Sequence, residues 1–257
     1  MQAEAIIQAL KIAQNQARQS GAISIPDSPL VECGLDNVDC PICHNTGVNV
    51  SKAADGTLKA TECACMAKRV SIRNLERSGL KDAISRYTMQ AYVADTPERK
   101  KVMSAANEFC EAERGWFFIS GKSGSGKTHI CTAICSRLMD KGKAVRYMRW
   151  RDDSIMLKAL TTDGEEYQRQ IRPFKSVPVL YIDDFLKGGH TDADIRLAFE
   201  ILNSRYNDLQ FRTIISSELT LFEILGLDEA TGGRIYERAK GYVLEAPREN
   251  WRLKHDE

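Results

Sequence analysis

Apolar residues fall into two kinds of pattern along this chain. Short unbroken runs occupy residues 116–120, 144–148, 177–184, 212–217 and 242–244, with the length and density of strands buried on both faces. Between them lie stripes at helical spacing: Ile130, Ala133, Ile134 and Leu138 across 127–140, and Ile195, Ala198, Phe199, Leu202 and Tyr206 after the third run. A further helix is predicted over about 98–113, ahead of the first run, and a later one carries Arg234 and Arg238 behind Gly232-Gly233. Alternation of strand and helix in this way predicts an α/β fold, a parallel sheet sandwiched between helices.

The first part of the chain is patterned differently. Ile6, Leu10, Ala13 and Ala17 form the stripe of an amphipathic helix that Ser20-Gly21 stops, and Pro26 and Pro29 mark a connector. A basic helical segment runs from Met66 to about Leu80, and residues 80–97 have the weak periodicity of a linker. Residues 1–85 are therefore expected as a small module with its linker, and 86–257 as the main domain. The polar, charged stretch from Arg151 to Lys175 is expected beside the sheet.

Between the first strand and its helix the sequence reads Gly121-Lys122-Ser123-Gly124-Ser125-Gly126-Lys127-Thr128, which satisfies the phosphate-loop pattern G-x-x-x-x-G-K-[ST] without mismatch. The pattern is short, and its weight comes from the strand in front and the helix behind. Glycines let backbone N–H groups close on phosphate oxygens, while the helix N-terminus presents partial positive charge to them. Lys127 is expected on the β- and γ-phosphates of ATP and the Thr128 hydroxyl on Mg²⁺. The third run ends on two carboxylates, Asp183 and Asp184, at the end of the strand where parallel sheets place their ligands. Asp183 is assigned to Mg²⁺ and Asp184 to the attacking water. Either alone would read as a cap or turn residue. Ser217, at the tip of the run 212–217, is a candidate contact to the γ-phosphate or the water.

A formal net charge of +1 over 257 residues gives no global attraction to nucleic acid, so DNA binding requires a local patch. The length supports one substantial core and a small second module. No run is long enough to span a bilayer, and the first twenty residues lack the continuous apolar region of a signal peptide. The expected location is cytoplasmic with no membrane partner, and eight cysteines must be read in that reducing setting. Cys40-Pro41-Ile42-Cys43 and Cys63-Ala64-Cys65 flank a segment with the turn signal Asp55-Gly56. Two close pairs of thiols joined by a hairpin suit tetrahedral Zn²⁺. Cys33 and His44 are spare ligands that could replace one of the four. Cys110, Cys131 and Cys135 fall on helical patterns and read as small buried apolar residues.

On these residues the chain resembles the bacterial and phage replicative helicase loaders of the DnaC/DnaI type, which are AAA+ ATPases. The resemblance rests on an ordered set: the cysteine cluster, Arg86-Tyr87-Thr88, the loop from Gly121 to His129, the Asp183-Asp184 strand, residues 213–219, Gly233-Arg234-Ile235 and Asn250-Trp251-Arg252-Leu253-Lys254. It implies an ATP/Mg²⁺ site, bound by the loop through His129 and used at the interfaces of a homo-oligomer. It also implies contacts to single-stranded DNA and an N-terminal zinc module that grips a ring-shaped replicative DNA helicase. Only eleven residues remain from Pro247, too few for a C-terminal helical lid. Arg234 looks like the arginine finger that reaches a neighbouring subunit's nucleotide, with Arg238 as the alternative.

Two positions depart from the pattern. Position 184 is Asp where most AAA+ enzymes place Glu, one methylene longer, so slow hydrolysis is expected. Position 218 is Glu where many relatives carry Asn. The segment after Trp150 corresponds to an extra DNA-contacting helix in these loaders. Arg146, Tyr147, Arg149, Trp150, Arg151 and Lys158 mix cations with rings as single-strand grooves do, diluted by Asp152, Asp153, Glu165 and Glu166. The function implied is ATP-dependent loading of the helicase. A transposition helper ATPase (IstB-like), acting on duplex DNA with a transposase, and a non-hydrolysing nucleotide-bound adaptor are the alternatives.

Overall fold

The structure is a computed structural model that describes residues 38–52, 57–77, 81–249 and 251. The expected N-terminal helix, Cys33, the Asp55-Gly56 turn, Asn250, and Arg252, Leu253 and Lys254 lie outside the described residues. The described chain opens with an antiparallel hairpin, β1 (Val48–Lys52) and β2 (Leu58–Glu62), followed by helices α1 (Cys65–Arg77), α2 (Lys81–Arg86) and α3 (Pro97–Glu111). Then come β3 (Trp116–Ser120), α4 (Lys127–Asp140), β4 (Val145–Arg149), α5 (Trp150–Ala159), α6 (Gly164–Ser176) and β5 (Val179–Phe185). The rest is α7 (Asp192–Tyr206), β6 (Arg212–Ser217), α8 (Leu221–Leu227), α9 (Glu229–Arg238) and β7 (Val243–Glu245).

Strands β3 to β7 form one five-stranded sheet in the spatial order β4-β5-β6-β3-β7, with every pair parallel. Every residue of β3 and of β6 is buried, which is why these runs are apolar without alternation. Successive side chains still go to opposite faces. Phe117, Ile119, Tyr147, Tyr181 and Ile214 join the core under α3 and α4, whereas Trp116, Phe118, Met148, Ile182 and Ile215 join the core under α5 to α9. Among the described residues no helix is long and apolar enough to cross a membrane.

Helix starts follow local chemistry. Thr96 accepts from Arg99 N ahead of Pro97, Thr191 and Asp194 form a capping box on α7, and Thr220 and Glu223 form another on α8. Each cap is worth about 1 kcal/mol. The charged stretch 151–175 is folded into α5 and α6 because it carries apolar stripes of its own: Leu157 on the first, Ile171 and Phe174 on the second, all buried. Fully buried Arg205 ties this region down by donating to the carbonyls of Phe174, Val177 and Arg212 and to Thr213 Oγ1.

Segment 80–97, expected as a linker, instead contains α2 and a turn that sends Met89 and Tyr92 into the core. Helix α1 adds Leu75 to the same core, and Ser71 Oγ accepts the Val145 amide at 2.7 Å. Packing therefore runs across residue 85, where the linker was expected.

Helices α8 and α9 meet at a glycine. A Cβ on Gly232 would lie 2.8 Å from both Cα and Cγ of Leu225, closer than atoms pack. Gly232→Ala should force the pair apart and lower stability by about 1–3 kcal/mol, read as a shift of the urea midpoint. Gly233, with nothing within 4 Å of its would-be Cβ, is the control. Gly233→Ala should be neutral or slightly stabilising.

Candidate nucleotide site and cysteine cluster

Strand β3 runs out at Ser120, and after the six residues 121–126 α4 begins at Lys127. Gly126 caps that helix with φ 90°, a left-handed conformation that glycine alone adopts without cost. The Lys127 ammonium turns back over the loop and donates to the carbonyls of Gly121 (2.6 Å) and Lys122 (2.9 Å). Burial lowers its pKa, opposed by the nearby charges of Asp184 and Glu218. Ser125 Oγ is buried without a hydrogen-bond partner among the described residues. A phosphate oxygen would satisfy it, so the loop fits the nucleotide that its sequence pattern implies.

The carboxylates are delivered by an irregularity in β5. Ile182 pairs with Ile215 and Phe185 with Ser217, so two residues on β5 stand against one on β6. This is a β-bulge, a device that re-aims side chains beside functional sites. Within it Asp184 has φ 52°. Asp183 becomes the centre of a hydroxyl cage: Tyr147 and Tyr181 donate at 2.9 and 2.7 Å, and Ser216 donates too. Thr128 Oγ1 lies 3.4 Å from both oxygens. Burial pushes both tyrosine pKa values up, so they act as donors throughout the physiological range. Thr128 and Asp183, the pair assigned to Mg²⁺, are thus side by side.

Asp184 takes a different role. Its amide donates to Ser216 Oγ (3.2 Å) and its carboxylate accepts from Lys187 Nζ (3.1 Å). Ser217 is fully buried and points elsewhere, donating to Phe185 O (2.9 Å) and accepting from Leu219 N (3.1 Å). Ser216 is the strand-tip hydroxyl that meets the acids.

A cavity of about 420 Å³ opens over the loop, lined by Lys127, Thr128, Asp184 and Lys187 on one side and by Tyr87, Tyr92, Val93 and Trp251 on the other. His129 fixes the second wall. Its Nε2 lies 3.0 Å from Thr88 O, and its ring stacks on Tyr87 (4.9 Å) and meets Tyr92 edge-on (5.3 Å). Burial lowers its pKa. Trp251 N donates to Gly124 O (2.9 Å), and the Arg99 guanidinium covers its ring at 4.5 Å. Sequence patterns flagged Arg86-Tyr87-Thr88 and Trp251 without giving them a place. Their proximity to the loop is a tertiary fact.

Arg234 and Arg238 lie outside the cavity of their own chain. Arg234 donates to Asn203 Oδ1 (3.0 Å) and Ala230 O (2.8 Å) and covers Phe199 at 4.7 Å. Arg238 donates to the carbonyls of Asp208 and Phe211 at 3.3 and 3.4 Å. The expected base-stacking surface after β4 is not formed by its rings. Trp150 is 1% exposed, against Phe185, and Tyr147 is engaged with Asp183. Arg146 lies over Phe174 and Lys158 binds Asp194. Of that set, Arg149 and Arg151 are exposed.

The cysteines converge as their spacing predicts. Cys40 Sγ and Cys63 Sγ are 3.8 Å apart, Cys43 Sγ and Cys65 Sγ 3.5 Å, and all four lie within 4.8 Å of one another without a disulfide. Zinc–sulfur bonds of ~2.3 Å in a tetrahedron separate sulfurs by ~3.8 Å, so the donor set fits such an ion. The knuckle turns through His44 and Asn45, both at positive φ, which brings Gly47 N to 3.3 Å from Cys43 Sγ. Asn45 Oδ1 accepts from Cys40 N (2.9 Å) and from buried Arg69 (2.8 Å). Burial opposes charge on Cys43, yet the Gly47 amide and the neighbouring thiols bring its pKa down to about 6. Burial pushes Cys65 up to about 12, opposed by Arg69 and reinforced by the other three thiols. His44 is exposed and stands outside the cluster.

Comparison with known proteins places this geometry. The family model for IstB-like ATP binding protein matches residues 53–253. The Bacillus subtilis (strain 168) protein YqaM is 30% identical over 210 residues, 76% of this chain and 66% of that one. The replicative helicase loader DnaC of Escherichia coli (strain K12) is 28% identical over 116 residues, and the match spans 44% of this chain and about half, 47%, of that one. The crystal structure of the DnaC helicase loader superposes with a TM-score of 0.54 at 22% identity, over 63% of this chain and 99% of that one. At that identity the likeness speaks for the fold, which is AAA+. With the family match spanning the phosphate loop, both acids and all five strands of the sheet, the chain belongs to the IstB-like ATP-binding proteins.

Proposed function

We propose that this chain is an ATP-dependent loader of a ring-shaped replicative DNA helicase onto single-stranded DNA, in which nucleotide binding and hydrolysis switch assembly and release. The observation that carries the proposal is one chain holding both a phosphate loop set against paired acids and a four-thiol cluster flanking the β1–β2 hairpin. The relative named as the replicative helicase loader DnaC supports it. In this reading residues 1–85, with zinc on Cys40, Cys43, Cys63 and Cys65, grip the helicase, and residues 86–257 form the ATPase.

Each residue then has a task. Lys127 and the α4 N-terminus hold the β- and γ-phosphates, and Thr128 and Asp183 hold Mg²⁺, which supplies charge neutralisation on those oxygens. Asp184 orients the attacking water and takes its proton. Arg234, with Arg238 as the alternative, extends to a neighbouring copy's nucleotide and makes hydrolysis depend on assembly. Exposed Arg149 and Arg151 contact DNA phosphates.

Full-length protein, a ring helicase and circular single-stranded DNA should give ATP-dependent transfer of the helicase onto the circle. Failure of the full-length chain to retain the helicase in a pull-down overturns the reading. The family match favours one second reading, a transposition helper. It predicts that duplex DNA stimulates phosphate release more than single strands do. Near-zero release with helicase and either DNA would favour the non-hydrolysing adaptor.

A further inference from the structure

Lys187 is a cation in the phosphate cavity that the loop pattern does not account for. It follows β5 in a tight turn in which two non-glycine residues, Asp184 (φ 52°) and Leu186 (φ 59°), are left-handed. Lys187 N closes that turn onto Asp184 O at 2.9 Å. Such conformations cost of order 1 kcal/mol each and persist where surrounding contacts hold them. Here the turn folds the lysine back over the acid, so that Nζ lies 3.1 Å from Asp184 Oδ2 and 2.9 Å from Glu218 Oε1. Glu218 follows the tip of β6, so the lysine bridges the ends of two neighbouring strands.

The charges make this bridge responsive. Partial burial opposes charge on Lys187, but hydrogen bonds to Glu218 and Asp184 outweigh it and hold its pKa above the ordinary value. Its field also reaches Lys127, whose pKa it helps to lower, so both ammonium groups act on the same space. Two carboxylates and one ammonium leave one net negative charge on this bridge, of which Lys187 and Asp184 line the cavity. A terminal phosphate competes directly with those carboxylates for the ammonium, and repels them.

We propose that Lys187 distinguishes a nucleoside triphosphate from a diphosphate: it bridges Asp184 and Glu218 when no terminal phosphate is present, and transfers to that phosphate when one arrives, releasing Asp184. Glu218 is then the residue that returns the lysine after the phosphate leaves. The inference rests on the ATP-site reading above and deepens it.

The test compares affinities of the full-length protein for Mg·AMPPCP and Mg·ADP by calorimetry. Lys187→Met should cut the preference for AMPPCP over ADP about tenfold, the worth of one charge-assisted hydrogen bond, with ADP affinity retained. Lys187→Arg should keep the preference. Glu218→Gln should move it the opposite way, because one competitor for the ammonium is gone. A merely structural lysine would not produce opposite shifts. An unchanged ratio in Lys187→Met overturns the inference. If that variant fails to fold, an unchanged ratio in Glu218→Gln overturns it instead. Wild-type protein that binds neither nucleotide would sink the ATP-site reading itself, a distinct outcome.

Discussion

Lys127→Ala is expected to remove ATP binding while leaving the protein folded. The ammonium sits among loop carbonyls at 2.6 and 2.9 Å, and its replacement deletes the charge that meets the β- and γ-phosphates. Loss of one buried charge-assisted contact of this kind costs about 3–4 kcal/mol, or roughly 10²–10³ in affinity. Folding should change little, since the desolvation penalty of a buried ammonium disappears together with its two carbonyl bonds. Thermal melts provide the readout. At ~100 times the dissociation constant a ligand adds ~2.7 kcal/mol of stability, so Mg·ATP should raise the wild-type midpoint and leave the variant's in place. Asp184→Asn separates binding from chemistry: the upshift should persist while phosphate release falls ~10²-fold or more. Equal upshifts in wild type and Lys127→Ala would falsify the assignment of the loop.

One zinc per chain, lost in Cys63→Ser, is the second large effect expected. The hairpin β1–β2 is short, and four cysteines supply most of what is buried beside it. Two strands alone are marginal in water, whereas a structural zinc contributes about 10–16 kcal/mol of apparent binding free energy. Removing the metal with a chelator, or one ligand by mutation, should therefore melt residues 38–64 locally. Hydrogen exchange should show the loss of protection confined at first to that segment. Cys131→Ser is the control, because Cys131 and Cys135 are wholly buried on α4 and burial raises their thiol pKa values. That variant should keep its metal. A metal-free protein with a protected hairpin would rule out the zinc assignment.

Local features were the legible ones. The phosphate loop, the acid pair ending β5 and the thiol pairs are each contiguous, and their chemistry depends on spacing within a few residues. What escaped depends on register. Ser216 and Ser217 are identical in composition, and only the pairing of Ile182 with Ile215, which sets Asp183 beside Ser216 and turns Ser217 to the opposite face, decides which hydroxyl meets the acid. Tyr147 and Trp150 lie among arginines and read as a surface for stacking bases. Strand alternation sends Tyr147 into one core and Met148 into the other, and Trp150, the first residue of α5, joins the second core, leaving Arg149 and Arg151 outside. The segment 80–97 shows little periodicity because a turn buries Met89 and Tyr92 three residues apart without a helix or strand to set a rhythm.

Helix α1 has a consequence for solubility. Strand β4 is the outermost of its sheet on that side, and an open strand margin is a template on which another chain can add itself. Ser71 takes up the Val145 amide hydrogen there, and α1 begins at Cys65, one of the thiols. The opposite margin, β7, is only three residues long. Stripping the metal would thus loosen the cover at its anchored end, and the expected product is a chain that aggregates through β4 while its nucleotide pocket is still intact.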